Sequence, residues 1–329
     1  MEDKNLISVI IVNYRSWTSL KDCLDSLMAV TDKNIVKEVV VIDNYSNDGQ
    51  LELFRNNYTD VIFFENSGNN GFANGCNVGS KLASGSYLLF LNPDTKIGDG
   101  VLQTLVNVYK GAPDTGILSC LQINERGKFE NQNKLFPSVS TFFGIFRSIN
   151  RLMNKQINLK RFSNFENENF YPDWVSGSLV FIHRNWFDKL IGWNEDYWMY
   201  LEDIDLSKRI SALGGKVVIT RKATIFHAHG GASRINIKTK ALTKTEVIIS
   251  KHVYISNFMD STDASILHTL MIVGSFLERF ILALAGIVLF FNKKMRVHIY
   301  IFKHLITYYV NALFKGTWIS PRSVNYMKK

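Results

Sequence analysis

Two apolar runs in this chain stop abruptly on acids. Leu89-Phe90-Leu91 runs into Asn92-Pro93-Asp94, and Val39-Val40-Val41-Ile42 runs into Asp43-Asn44. An unbroken apolar run reads as a strand buried on both faces. Ligands of open α/β sheets sit beyond the carboxyl ends of such strands. Asp94 would then stand at the lip of a crevice, behind a proline that stiffens the turn. A carboxylate there can hold a hard divalent cation, and the cation a diphosphate; it can equally cap a following helix. Asp43 can accept from the imide N–H of a uracil or thymine ring, or from a ribose hydroxyl. Asn13-Tyr14 closes the first strand in the same way. Asn44 to Gly49, with Ser46 inside it, has turn composition.

Further candidates follow along the chain. Gly68 to Gly79 is rich in glycine and asparagine and contains Asn70, Gly71 and Asn77. Glycines allow close backbone approach to a ligand, and a helix N-terminus favours an anion. The spacing of Gly68, Gly71 and Gly75 is not the dinucleotide fingerprint, and the first strand turn, Asn13-Tyr14-Arg15-Ser16, holds no glycine. Both facts count against a nicotinamide dehydrogenase. Glu202, Asp203 and Asp205 open a helix, where the dipole favours carboxylates. Asp205 can pair with Lys208 or Arg209 along that helix. Glu202 or Asp203 can face the crevice as a general base. His227 and His229 stand two apart on a strand and share a face, which suits a metal or phosphate contact as well as a structural role.

The elements that must position these residues alternate in type. Strands are expected at Ser8–Val12, Val39–Ile42, Val61–Phe64, Tyr87–Leu91 and Gly116–Cys120. Helices are expected near 17–28, 48–56, 72–83 and 101–109, with Leu20, Leu24 and Leu27 at helical spacing in the first. This rhythm predicts an α/β fold, a mostly parallel sheet sandwiched by helices. Residues 124–170 break it and read as an excursion over the substrate side. A strand is expected at Trp174–Ile182, a short helix after Asn185, a helix at Leu201–Leu213 stopped by Gly214-Gly215, and strands at Val217–Ile219 and Thr224–Phe226. The domain boundary is expected near Arg234, with residues 1–234 as one domain (halves of about 1–120 and 121–234) and 235–329 as a helical region.

Charge separates the same two parts. Residues 1–233 hold 24 Lys/Arg and 25 Asp/Glu, net −1; residues 234–329 hold 14 and 4, net +10. The basic part also carries the most apolar segments, 266–291 and 302–314, which points to an anionic membrane surface rather than nucleic acid. The Glu278-Arg279 pair in the middle of the first segment is costly in hydrocarbon. A helix lying in the interface, or a helical hairpin, is therefore expected rather than a span. Cys23, Cys76 and Cys120 are too scattered for a disulfide framework or zinc site and fit a reducing compartment. The first residues lack a secretory pattern.

Together the motifs resemble the family 2 inverting glycosyltransferases of the GT-A fold, and their rhamnosyltransferase-like branch most closely. The matching pieces, in family order, are Val9 to Tyr14, Val41 to Asn44 with Ser46, Asp48 and Gly49, Asn70 to Ala73 with Asn77 and Gly79, and Asn92-Pro93-Asp94. Asp173 to Gly177, Tyr200 to Leu206 and His227 to Ser233 complete the set. The resemblance implies transfer of a sugar, L-rhamnose from dTDP-L-rhamnose first, to a hydroxyl of a lipid-linked saccharide in cell-surface polysaccharide (O-antigen) synthesis. A UDP- or GDP-hexose donor, or a non-catalytic saccharide-binding membrane subunit, are the alternatives. It implies that Asn13, Tyr14, Asp43, Asn44, Ser46, Asn70, Gly71, Asn77, Asn92 and Pro93 meet the donor nucleotide. Asp94 and His229 (His227 as second choice) would hold Mg²⁺ or Mn²⁺. Asp203 would be the base, with Glu202 beside it, and Trp174, Gly177 and Trp198 would meet the acceptor. The two tryptophans offer flat faces for a sugar ring, or for core packing. The family's Asp-x-Asp motif is here Asn92-Pro93-Asp94, with a single certain carboxylate. The implied location is the cytoplasmic side of the membrane, peripheral or monotopic. Self-association is left open.

Overall fold

The computed structural model describes residues 6–32, 35–132, 134–138, 142, 168–228 and 236–328. These residues form two compact units. The first opens with β1 (Leu6–Asn13), α1 (Trp17–Ala29), β2 (Val36–Asp43), α2 (Gln50–Asn57), β3 (Val61–Glu65), α3 (Phe72–Leu82) and β4 (Tyr87–Leu91). It continues with β5 (Thr95–Lys96), α4 (Val101–Gly111), β6 (Thr115–Ile123), β7 (Asn169–Phe170), β8 (Leu179–His183), α5 (Arg184–Lys189), α6 (Glu202–Ala212) and β9 (Lys216–His227).

Among the described residues the strands make one sheet in the order β3-β2-β1-β4-β8-β6-β9-β5, with β7 on β9. The four strands β3, β2, β1 and β4 are parallel, as the alternating pattern predicts. β8 then runs antiparallel to both β4 and β6, so the second half of the sheet is mixed. Side chains alternate across β1: Ile7, Val9 and Ile11 join the core under α1 and α4, while Ile10 and Val12 join the core under α3. α1 buries Leu20, Cys23, Leu24 and Leu27, a repeat that a 3.6-residue turn brings to one face.

Two expectations are corrected, and one short strand is added. The strand expected at Trp174–Ile182 begins only at Leu179, because Ser176 C=O accepts from Leu179 N–H and turns the chain at Gly177-Ser178. The two strands expected at 217–219 and 224–226 are one strand, β9, with a register shift against β6 at Cys120/Leu121 that absorbs Arg221 to Ala223. The two-residue strand β5 is too short to show a period, yet it seats Thr95 against His227. Most of the excursion, and the boundary at Arg234, lie outside the described residues.

The second unit contains residues 195–201 and the helices α7 (Ile237–Phe258), α8 (Ser261–Val288) and α9 (Lys293–Lys315). Ala241 and Ile249 of α7 pack on Val297, Ile301, Leu305 and Tyr308 of α9. α8 and α9 form a hairpin across residues 289–292. A Cβ on Gly286 would stand 2.7 Å from Met295 C=O, so glycine permits this close crossing. α8 is 28 residues long and is apolar enough to cross a membrane by length and composition.

Candidate active site

Strand register levels the polar tips. Asn13 pairs with Asp43, and Ile11 pairs with Leu91, so the Asn92-Pro93-Asp94 turn begins level with them. At the β1 and β2 tips Asp43 is buried and fully engaged. Its carboxylate accepts from Asn13 Nδ2 at 2.9 Å, Ser46 N at 2.8 Å and Ser46 Oγ at 2.6 Å. Ser46 Oγ in turn accepts from Arg15 N at 2.8 Å. Asp43 thus ties the two loops together, and Tyr14 is left half-buried with the Arg15 guanidinium 5.4 Å from its ring centre.

An asparagine network joins this corner to the glycine-rich run. Asn44 Nδ2 donates to Gly71 C=O at 2.9 Å, and Asn66 bridges Asn44 and Asn74. Asn70 Nδ2 donates to Asn66 Oδ1 at 3.3 Å. Gly71, at φ +90°, starts α3. Gly75 and Gly79 serve packing: a Cβ there would meet Val12 at 2.7 Å and Ile10 at 2.4 Å. The expectation that Asn77 meets the nucleotide is corrected. Its amide donates to Trp193 C=O and accepts from Trp193 N–H, both at 2.9 Å, across 116 positions. Two backbone groups of a buried turn depend on it.

Beyond β4, Asp94 Oδ1 lies 3.3 Å from His227 Nε2. His227 Nδ1 faces two oxygens, Glu130 Oε1 at 2.9 Å and Gln122 Oε1 at 3.0 Å. Ser178 Oγ also donates to that Gln122 oxygen at 2.8 Å. With acceptors on one side, Nδ1 must carry the proton, and Nε2 is aimed at Asp94. Burial opposes charge on His227, but the hydrogen bonds to Asp94 and Glu130 outweigh it and raise the imidazolium to about 9. His229 lies outside the described residues, so the imidazole that meets Asp94 is the second choice, His227.

A value of about 9 leaves Nε2 protonated and donating to Asp94, so His227 could ligate a divalent metal only by giving up that proton. A carboxylate oxygen and an imidazole nitrogen converge, and the outer imidazole nitrogen is held by a carboxylate, the usual support for a ligating histidine. Among the described residues no cluster of three or more ligating side chains occurs. Asp94 and His227 are the converging side chains that could hold a divalent cation here.

The acids of α6 lie nearby through backbone. Asn92 N donates to Ser178 C=O at 3.0 Å, and the adjacent Gly177 N donates to Asp203 Oδ2 at 3.0 Å. Asp203 Oδ1 accepts from Ile204 N at 2.8 Å. Burial raises the Asp203 carboxyl above its ordinary range, while the Gly177 amide and the Lys134 charge pull it back. Glu202 is buried, its Oε2 has no hydrogen-bond partner, and burial plus the neighbouring Asp203 charge push it up. Gly177 orients the acid through its N–H, and a Cβ there would make only ordinary contact with Phe72 at 3.4 Å and Asp203 at 3.7 Å.

Glu130 and Lys134 are site residues that the sequence reading missed. Lys134 Nζ is 3.6 Å from Glu130 Oε2 and 4.8 Å from the Trp174 ring centre. Burial lowers its ammonium pKa, and the charges of Glu130 and Asp203 hold it up. Trp174 Nε1 donates to Leu135 C=O at 3.0 Å, which seats the 130–136 segment. The Glu-to-Lys spacing of four was the available signal. Trp198 is corrected: it is buried in the second unit under the Arg322 guanidinium, 5.7 Å from its ring centre, and presents no open face.

Comparison with known proteins identifies the family. The profile of "Glycosyl transferase family 2" matches residues 8–172, half of the chain. The N-acetylglucosaminyl-diphospho-decaprenol L-rhamnosyltransferase of Mycobacterium tuberculosis is 24% identical over 239 residues, 68% of this chain and 76% of that protein. Rhamnosyltransferase WbbL of Escherichia coli is 25% identical over 222 residues, 64% and 78% respectively. The solved structure of GalNAc-T7 with UDP, GalNAc and Mn²⁺ shares the fold at TM-score 0.54 and 18% identity. It is matched over 74% of this chain, which spans about half (48%) of that one. The chain belongs to glycosyl transferase family 2, has the GT-A fold, and resembles the rhamnosyltransferase-like branch.

Proposed function

We propose that this protein is an inverting rhamnosyltransferase that moves L-rhamnose from dTDP-L-rhamnose to a hydroxyl of a lipid-linked saccharide. The observation that supports the reading is the backbone link that ties the Asn92-Pro93-Asp94 turn, where Asp94 meets His227, to Ser178 and, through the adjacent Gly177, to Asp203. The names of the two rhamnosyltransferases above support the sugar, and that of the first supports the lipid-linked acceptor.

In this reading Tyr14 and the Asp43–Ser46 corner receive the thymine nucleoside. Bound Mg²⁺ or Mn²⁺ supplies neutralisation of the diphosphate leaving group. Asp203, held by the Gly177 amide, takes the proton of the acceptor hydroxyl, and that oxygen attacks the anomeric carbon from the face opposite the diphosphate. The carbon–oxygen bond to the diphosphate breaks, and the configuration inverts. Trp174, with Lys134 over its ring, lies on the acceptor side. Residues 1–234 serve as the catalytic domain. The basic helical region 235–329 keeps the enzyme at the cytoplasmic face of the membrane.

A donor panel tests this. Purified protein is given dTDP-L-rhamnose, UDP-hexoses and GDP-hexoses, and released nucleoside diphosphate is measured with and without chelator. Chelator-sensitive release from dTDP-L-rhamnose is expected. Release from UDP- or GDP-hexose alone would reassign the donor, and none from any donor would favour a binding subunit.

A further inference from the structure

The helical unit carries two features that sugar transfer leaves unused. The first is an apolar stripe on α8. Ile266, Leu270, Val273, Leu277, Ile281 and Leu284 recur every three or four residues on one helical face, and all are exposed. At the end of the helix the chain turns through Phe290 and Phe291, 67% and 72% exposed.

The second feature is a cavity of ≈ 670 Å³ one turn further on. Lys238 and Lys240 reach it from the first turn of α7, and Lys293, Lys294 and Arg296 from the start of α9. No acid lines it among the described residues. Arg296 Nε is buried there without a hydrogen-bond partner. Two helices also begin at the cavity, behind the caps Asn236 and Asn292, and add their positive ends. Five cations gathered on one concave surface repel one another, and an anion in the cavity relieves that repulsion.

We propose that this cavity binds the phosphate groups of anionic phospholipids, and that the α8–α9 hairpin lies on the bilayer with its apolar stripe in the acyl boundary. Charge complementarity selects the partner: Lys293 follows Phe291 by two residues, so the apolar end of the hairpin and the cation cluster adjoin as in an interfacial anchor. Glu278 decides between lying and spanning. Its side chain is 59% exposed, and its contact with Arg279 is 3.4 Å long. One residue on from Leu277, it stands about 100° around the helix and flanks the stripe. In a span it would face hydrocarbon; on an interfacial helix it reaches the headgroup level. This deepens the membrane reading of residues 235–329 and is independent of the donor sugar.

The test is co-sedimentation of the full chain with vesicles of phosphatidylcholine alone or with one quarter phosphatidylglycerol. The wild type is expected to bind the anionic vesicles and to release them as salt rises. The K293Q/K294Q/R296Q variant is expected to lose affinity about 100-fold on anionic vesicles. K238Q/K240Q, on a different helix, should lose affinity about tenfold or more and keeps the test open if the first variant folds poorly. Equal binding to both vesicle types, undiminished binding by both variants, or displacement by inorganic phosphate with no preference for anionic lipid would each overturn the proposal. Nucleotide binding measured on the same samples separates this outcome from failure of the transferase reading.

Discussion

Glu130 Oε1 holds His227 Nδ1 at 2.9 Å, across 97 positions of sequence, and so turns His227 Nε2 toward Asp94. Through the imidazole, Glu130 acts on the orientation of the nitrogen that meets Asp94. Outer partners of this kind are worth about 10–100-fold in metal affinity. Glu130→Ala should weaken Mn²⁺ binding by that factor in calorimetry. Glu130→Gln should recover part of the loss, because its amide oxygen can still accept. Unchanged Mn²⁺ affinity in both variants would contradict the positioning role.

The Lys134 charge acts on Asp203. It favours the ionised carboxylate, and so lowers a pKa that burial has raised. Removing it leaves the raising influence unopposed. In Lys134→Gln the acidic limb of the kcat profile should therefore move to higher pH, with activity at alkaline pH less affected than at neutral pH. A uniform loss across pH would indicate a structural role alone.

Glu202 gives a stability test. Its folded pKa is raised, so the protonated acid is the form that suits the buried site. Its contribution to stability is intact below the ordinary carboxylate range and is lost as pH rises through the higher folded value. Glu202→Gln should melt a few degrees above the wild type at about pH 9 and close to it at about pH 4. Melting curves at the two pH values check this, and the opposite order would refute the buried neutral acid.

Asn77→Ala separates architecture from binding. The variant orphans the N–H and C=O of Trp193 and should cost about 1–3 kcal/mol per buried group in urea unfolding. Nucleotide affinity of the folded fraction should stay near wild type. A stable variant that loses the nucleotide would restore Asn77 to the donor site.

The sequence made the parallel half of the sheet legible because β1, β2 and β4 are buried on both faces and read as unbroken apolar runs. It was silent where period fails. Arg221-Lys222 interrupts the apolar pattern of β9 although the backbone stays extended, and β5 has two residues. Asp94 and Asp203 stood out because each interrupts or opens an element. Glu130 and Lys134 did not, because their own spacing of four marks only a local pair, and His227 is brought to Glu130 by folding. Asn77 and Trp198 misled for one reason: polar and aromatic residues in a motif are also what a buried turn or a packed ring requires.

The most direct measurement of the central claim is a comparison of binding and turnover in Asp203→Asn with dTDP-L-rhamnose and Mn²⁺. The account predicts a nucleotide Kd within about twofold of wild type and a kcat lower by about 10²–10⁴, the range for a lost general base. Wild-type turnover at saturating donor, or loss of nucleotide binding with kcat preserved, would contradict it.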